Sequence, residues 1–257
     1  TEAVRSVSFK GDTGFLYKAN IALRTAIRIL KPIKVTKIYD EEDLYDAVKK
    51  VKWEKYLDID GAFAIGAVSN SVNLPNHSHY IALKSKDAIA DYFRDKFGKR
   101  PDVDVAYPDL KIHIHIKNDY LTISLDSSGD SLHKRGYRTA TNIAPINEVL
   151  AAGMVLLSGY RGEENFIDPM CGSGTILIEA AMIANNIPAN INRKRFGFET
   201  WKDYNEELYF IIQDALLKKI RSSHFKIMGF DKAPSAIQKA ETNIKEANLD
   251  EFIGVHH

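Results

Sequence analysis

The apolar positions of this chain change period several times, and each change marks an element. Leu16, Ala19, Ile21, Leu23, Ala26, Ile27 and Leu30 keep a helical spacing, with Thr13 placed to cap them and Pro32 to stop them. Before them Ser6 to Phe9 reads as a strand end closed by Gly11-Asp12, and after them Val35 to Tyr39 reads as a strand. The acids Asp40, Glu41, Glu42 and Asp43 then suit the start of a helix running through Val51. Ala62 to Val68 is a further strand. Lys84 to Phe97 is a helix whose stripe is Ala88, Ile89, Tyr92 and Phe93. Leu110 to Ile116 alternates as LKIHIHI, and Asn118-Asp119 turns it into a second alternating run, Tyr120 to Leu125: a hairpin. His113 and His115 fall on the exposed face of that hairpin rather than forming a metal pair.

Beyond Asp126-Ser127-Ser128-Gly129-Asp130, a polar stretch read as a domain boundary without core residues, the pattern becomes helix, strand, helix. Ile146 to Leu157 is helical, Asn165 to Asp168 a strand, and Thr175 to Ala184 a helix apolar nearly all round, hence buried. Asn205 to Ile220 is amphipathic and Lys226 to Asp231 a strand. Pro234 opens a last helix with Ile237, Ala240 and Ile244 on one face. Strands alternating with helices predict a parallel sheet.

Composition narrows the chemistry. A chain of 257 residues with 45% hydrophobic and 27% charged residues is an ordinary globular sequence, and a net charge of +1 leaves any nucleic-acid affinity to local patches. One cysteine, Cys171, offers neither disulfide nor metal cluster, which points to a reducing, cytoplasmic compartment. No apolar run reaches membrane-span length. The first residue is Thr1, which leaves the native N-terminus and any removed targeting segment open.

The densest chemistry lies in DPMCGSGT, between an apolar strand and an apolar helix. Ligands of open parallel sheets sit beyond the carboxyl ends of strands, where Asp168 falls. Gly172 and Gly174 let the backbone approach a ligand, and the N–H groups around Ser173, Gly174 and Thr175 favour an anion. An amino-acid tail fits both signs, its ammonium on Asp168 and its carboxylate on the amides. A dinucleotide fingerprint would carry a third glycine where Leu177 stands. The next strand ends in Gly229-Phe230-Asp231, and that acid can accept ribose hydroxyls. The gap between the two acids requires an insertion over about 185–225. These features together predict S-adenosylmethionine (SAM), with its amino-acid end at Asp168 and the amides around Ser173, Gly174 and Thr175 and its ribose at Asp231. Cys171 has no partner set of a nucleophile and reads as a small loop residue.

The motif DPMCGSGTILIEAA resembles that of bacterial THUMP-domain RNA methyltransferases of the UPF0020-like family, in particular those of the 23S rRNA guanine-N2 type. Phe9-Lys10-Gly11-Asp12, Lys86-Asp87-Ala88-Ile89, Ser128 to Arg138 (SGDSLHKRGYR) and Ala144-Pro145-Ile146 fall in the family's order, and Arg195-Phe196-Gly197-Phe198 with Trp201 is similar to its insertion. The resemblance implies a mixed α/β and α+β chain: a ferredoxin-like remnant at 1–40, a THUMP RNA-binding domain at 41–126, and the first part of a Rossmann-like methyltransferase domain at 127–257. It also implies that Asp168, Pro169, Met170, Cys171, Gly172, Ser173, Gly174 and Thr175 hold the cofactor together with Asp231 and Lys232, and that the segment around Ala144 flanks it. No catalytic residue is assigned, because the family's Asn-Pro-Pro-Tyr is expected beyond His257, and the 257 residues alone are expected not to turn over.

The partner implied is RNA, rRNA first, with no metal and no membrane. Lys134, Arg135 and Arg138 beside Tyr137 make a basic stretch without acids, expected to contact RNA. Lys84, Lys86 and Arg94 lie on a helix that is either an RNA contact or a solvated face, and Arg193-Lys194-Arg195 carries the same two readings. A tRNA guanine-N2 methyltransferase and a non-catalytic RNA-binding module are the alternatives. Oligomeric state is open.

Overall fold

The computed structural model of the chain describes residues 2–3, 6–70, 77–140 and 145–257. Ala144, expected to flank the cofactor, lies outside them. A ribbon of β1 (Glu2–Ala3) and β2 (Ser6–Val7) precedes helix α1 (Thr13–Ala22). Strand β3 (Leu30–Lys37), helix α2 (Glu41–Lys49), strand β4 (Ala62–Asn70) and helix α3 (Ser78–Phe97) follow, then strands β5 (Asp102–Val103), β6 (Leu110–Lys117) and β7 (Tyr120–Asp126). The remainder is α4 (Glu148–Leu157), β8 (Phe166–Asp168), α5 (Thr175–Ala184), α6 (Glu206–Leu217), β9 (Ile227–Phe230), α7 (Pro234–Glu246) and β10 (Ile253–His256). No helix among the described residues is long and apolar enough to cross a membrane.

The chain divides into two compact units that do not follow residue order. Thr1–Ile27, Asp130–Lys194 and Glu206–His257 form the first, Arg28–Gly129 with Arg195–Asn205 the second.

In the second unit a five-stranded sheet runs β3-β7-β6-β4-β5. β7 is antiparallel to both neighbours, whereas β6–β4 and β4–β5 are parallel. The alternation of LKIHIHI has its expected result. Leu110, Ile112, Ile114 and Ile116 are buried, as are Leu121, Ile123 and Leu125, and so are Leu44 and Val48 of α2 and Ile81, Ile89 and Phe93 of α3. Full burial of such side chains contributes about 1.5–3 kcal/mol each. Asp40 caps α2 by accepting from Asp43 N at 2.8 Å, so structure accounts for the acidic knot.

Two expectations are corrected here. The helix from Thr13 ends at Ala22 rather than at Pro32, and β3 starts at Leu30. The terminal carbonyls of α1 find tertiary partners instead of another turn: Asn190 Nδ2 donates to Asn20 O at 2.7 Å and to Leu23 O at 3.3 Å, and Asn190 N to Ile21 O at 2.9 Å. Pro32 is then tolerated inside a strand because β3 is an edge strand with a register shift between Pro32 and Lys34. Likewise, the polar stretch at 126–130 is not outside the core. Asp126, Ser127 and Ser128 are buried, with Ser127 Oγ donating to Ile29 O at 2.8 Å and Ser128 Oγ accepting from Ile29 N at 2.9 Å. Their hydrogen bonds make that burial tolerable.

In the first unit three parallel strands take the order β10-β9-β8. α5 packs on all three strands and α4 packs on α5. The core gathers Val155, Leu177, Ile178, Ala181, Ile227, Ala240, Ile244, Leu249 and Ile253. The strand–helix–strand expectation is met there.

Candidate functional site

β8 ends at Asp168, and the chain turns through Pro169 and Met170 into two left-handed glycines, Gly172 (φ 56°) and Gly174 (φ 82°), the second opening α5. The turn is tied to the neighbouring strand. Cys171 N donates to Phe230 O at 2.9 Å, and Gly172 N donates to Asp231 Oδ2 at 3.0 Å. The two acids singled out from sequence are therefore joined through the loop between them. Asp168 Oδ1 accepts from Met170 N at 3.0 Å, and Asp231 Oδ1 from Ala233 N at 2.9 Å. Both acids are half-buried, Pro169, Met170 and Lys232 are exposed, and Ser173, Gly174 and Thr175 are buried. The two carboxylates and the backbone of the turn are placed to meet a ligand.

The first turn of α5 has no side-chain cap, so its N–H groups can serve an anion. Gly229 makes the loop's close seat on β9 possible: a Cβ there would fall 2.3 Å from Leu177 Cδ1 and 3.0 Å from Cys171 Sγ. The Cys171 thiol is pushed up to about 11, first by burial and then by Asp168 and Asp231. It stays protonated at neutral pH, consistent with a small loop residue.

Two polar side chains not singled out from the sequence hold this loop. Asn243 of α7, fully buried, accepts from Thr139 N at 3.1 Å and Ala140 N at 3.0 Å, and donates to Ala140 O at 2.8 Å and Ser173 O at 3.0 Å. Glu148 of α4 accepts from Arg138 Nε at 2.8 Å. Arg138 Nη2 also donates to Thr175 Oγ1 at 2.9 Å and Ile146 O at 2.8 Å. The segment after Pro145 is thereby fastened to the first residue of α5.

The expectation that Arg135 and Tyr137 contact RNA is corrected. Both are 1% exposed. Arg135 donates to Glu179 Oε1 at 3.3 Å, Leu132 O at 3.0 Å, Asn190 Oδ1 at 2.9 Å and Arg24 O. Tyr137 donates to the same Glu179 oxygen at 3.1 Å. Burial pushes the Glu179 carboxyl up, while Arg135 and Arg24 pull it back down. Arg24 itself is lowered to about 10 by burial and caps α5 by donating to Met182 O at 3.0 Å. Arg138 is also largely withdrawn, its side chain 17% exposed on Glu148. A guanidinium with five donors can be satisfied this way inside a protein.

Among the other residues expected at RNA, Lys134 is exposed and 3.3 Å from Asp130. On α3, Lys86 pairs with Asp87 at 3.1 Å and Arg94 with Asp91 at 2.8 Å, while Lys84 Nζ lies 5.6 Å from the centroid of the Tyr45 ring. Arg193 is committed to backbone carbonyls of Ser131, Lys134 and Asp130. Among the described residues no group of His, Cys, Asp or Glu could hold a metal.

Glu179 and Asn243 had a sequence signal. Each is one polar residue on an otherwise apolar helical stripe, Glu179 inside TILIEAAMIA and Asn243 beside Ala240 and Ile244.

Comparison with known proteins matches three successive segments of the chain. Residues 1–30 match an RlmL ferredoxin-like domain, 39–126 a THUMP domain, and 135–257 the UPF0020 family, described as an RMKL-like methyltransferase domain. The chain is 36% identical over 244 residues to slr0064 of Synechocystis sp., which carries the name of an RNA methyltransferase; the match covers 95% of this chain and 63% of the relative. Among solved structures, SMU.472, a methyltransferase by name solved in complex with S-adenosylhomocysteine (SAH), is 32% identical at a TM-score of 0.83. A methylase from Listeria monocytogenes 4b F2365, named for N6-adenine in DNA, is 32% identical at 0.84. Each structural match covers 96% of this chain and 65% of the other. The chain thus spans a little under two thirds of the relatives it matches.

Proposed function

With an RlmL ferredoxin-like domain, a THUMP domain and a UPF0020 methyltransferase domain, the chain belongs to the THUMP-containing UPF0020 methyltransferases, and on that premise we propose that it is a SAM-dependent RNA methyltransferase. The observation that carries the reading is the 3.0 Å bond from Gly172 N to Asp231 Oδ2, which brings loop and acid into one site. The residues fit the cofactor. Uncapped amides of α5 suit its carboxylate, Asp168 its ammonium, and Asp231 its ribose hydroxyls. Bound there, SAM would supply an electrophilic methyl group. The chain's own contribution is to hold it: the glycines admit its backbone-side approach, Asn243 fixes Ser173, and Arg138 fixes Thr175.

The finer reading is transfer to the exocyclic N2 of a guanine in 23S rRNA, with a tRNA guanine as the alternative. The name of the Listeria relative favours a second reading, adenine N6 in DNA, against which the THUMP domain stands. Calorimetry with SAH tests the cofactor site. Asp231→Asn should weaken binding roughly tenfold to a hundredfold, the equivalent of about 1.5–3 kcal/mol for a charge-assisted bond. A folded parent that takes up no SAH would sink the reading. Methyl transfer by the whole protein to 23S rRNA, tRNA and DNA separates the substrates.

A further inference from the structure

With Arg135 and Tyr137 buried, the stretch from Leu132 to Arg138 loses its aromatic ring and most of its cations as an RNA surface, whereas the second unit presents a surface with the right chemistry. The core-facing rows of its sheet alternate with rows that face away. Thr36, Leu121, Ile116 and Ser69 are aligned across β3, β7, β6 and β4, and the last three are buried. One residue along, the aligned set is Lys37, Tyr120, Lys117 and Asn70, all four exposed. The next set on this side is Val35, Thr122, His115 and Val68, with Val35 61% and Val68 43% exposed.

Tyr120, 51% exposed, sits between two lysines on the flanking strands, and Lys37 Nζ is 5.4 Å from its ring centroid. Neither Lys37 nor Lys117 takes part in the ion pairs found among the described residues. Neither row carries a carboxylate. Asp119 lies in the adjoining turn, and Asp126, at the far end of β7, is buried on Arg28. The helical side of the unit differs. There Lys49, Lys86, Arg94 and Lys96 are paired with Asp95, Asp87, Asp91 and Glu54.

We infer that the outward face of β3, β7, β6 and β4 binds single-stranded RNA, with Tyr120 stacking on an unpaired base and Lys37 and Lys117 engaging the flanking phosphates. The inference rests on the RNA-methyltransferase reading above and names the surface that serves it. An exposed ring on a sheet needs a base freed from a duplex, because paired bases keep their faces against each other. Strands about 4.8 Å apart place a cation on either side of that ring.

The test is fluorescence anisotropy of a single-stranded RNA dodecamer with the 257-residue chain across a salt series. Tyr120→Ala should weaken binding by about tenfold or more, and Tyr120→Phe, which keeps the ring, should bind like the parent. Lys37→Ala and Lys117→Ala should each lower the salt slope by about 0.7. Lys86→Ala and Arg94→Ala should leave it unchanged. The same dodecamer annealed into a duplex should bind less tightly. SAH calorimetry on every variant should match the parent, since the face lies outside the cofactor loop. If the parent binds RNA and the Tyr120, Lys37 and Lys117 variants bind it equally well, this surface is overturned and the RNA reading survives. Tighter binding of the duplex, indifferent to Tyr120→Ala, also overturns it. A parent that binds SAH but no RNA overturns the surface together with the RNA reading.

Discussion

Basic side chains in this molecule have two opposite fates. Arg24, Arg135 and Arg138 are drawn inside the first unit, where carbonyls, Asn190, Glu148 and Glu179 take up their donors. Lys37 and Lys117 stand outside the second unit's sheet beside Tyr120. In sequence the arginine cluster of HKRGYR is the denser positive patch, and it is the one that is lost to solvent. Charge density along a chain does not decide exposure. The acceptors that the fold supplies do: a planar guanidinium is saturated by several of them in the interior, whereas an ammonium on the outer pleat of a strand stays hydrated.

The largest effect that would break this comparison belongs to Arg135. Replacing it with Met removes the cation that pairs with buried Glu179, leaving Arg24 alone to offset its charge, and should destabilise the chain by about 3–5 kcal/mol, read as a fall in unfolding midpoint. Adding Glu179→Met should recover much of that loss, since an apolar pair needs no compensation. Lys37→Ala should change stability by no more than about 0.5 kcal/mol. Equal effects at Arg135 and Lys37 would erase the distinction between the two fates.

Next comes Gly229→Ala, whose methyl group would collide with Leu177 Cδ1. Overpacking there should cost about 1–3 kcal/mol and weaken SAH binding by displacing Cys171, as calorimetry on the still-folded variant would show. A smaller effect is chemical. With its thiol at about 11, Cys171 should be only about one part in a thousand thiolate at pH 8 and should alkylate slowly, faster as pH rises toward 11. Rapid labelling at pH 8 would mean the loop opens.

The smallest effect lies on the exposed, paired side of the second unit. Hydrogen bonds from Lys96 and then Tyr92 hold the Glu54 carboxyl down to about 2. A depressed acid contributes its stability above its unfolded value, about 4.3, and loses it as pH falls toward 2. Glu54→Gln should therefore flatten the stability profile across that window by at most about 1 kcal/mol, as for other exposed pairs.

Much of this was open to reading before any fold was known. The LKIHIHI alternation marked β6 and its two faces, Pro234 marked the start of α7, and DPMCGSGT with Asp231 marked a loop and an acid that the fold joins. What failed did so for identifiable reasons. The helix predicted from Thr13 to Pro32 stops at Ala22 because Asn190, far along the chain, takes its last carbonyls. Ser127 and Ser128 looked like linker, yet Ile29 satisfies them in the interior. Glu179 stands out as a lone acid on an apolar helix, but its partners Arg135 and Tyr137 lie more than 40 residues away in the chain.

The sequence by itself determined where elements begin, which strand faces are apolar, and which backbone turn can approach a small molecule, because these depend on neighbours a few residues away. The tertiary structure alone decided which charges are buried. It also decided which polar atoms tie the glycine loop in place, and that Arg195–Asn205 groups with Arg28–Gly129 rather than with the segments flanking it in sequence. Burial of a charge depends on acceptors that only folding brings within about 3 Å, often from more than a hundred residues away.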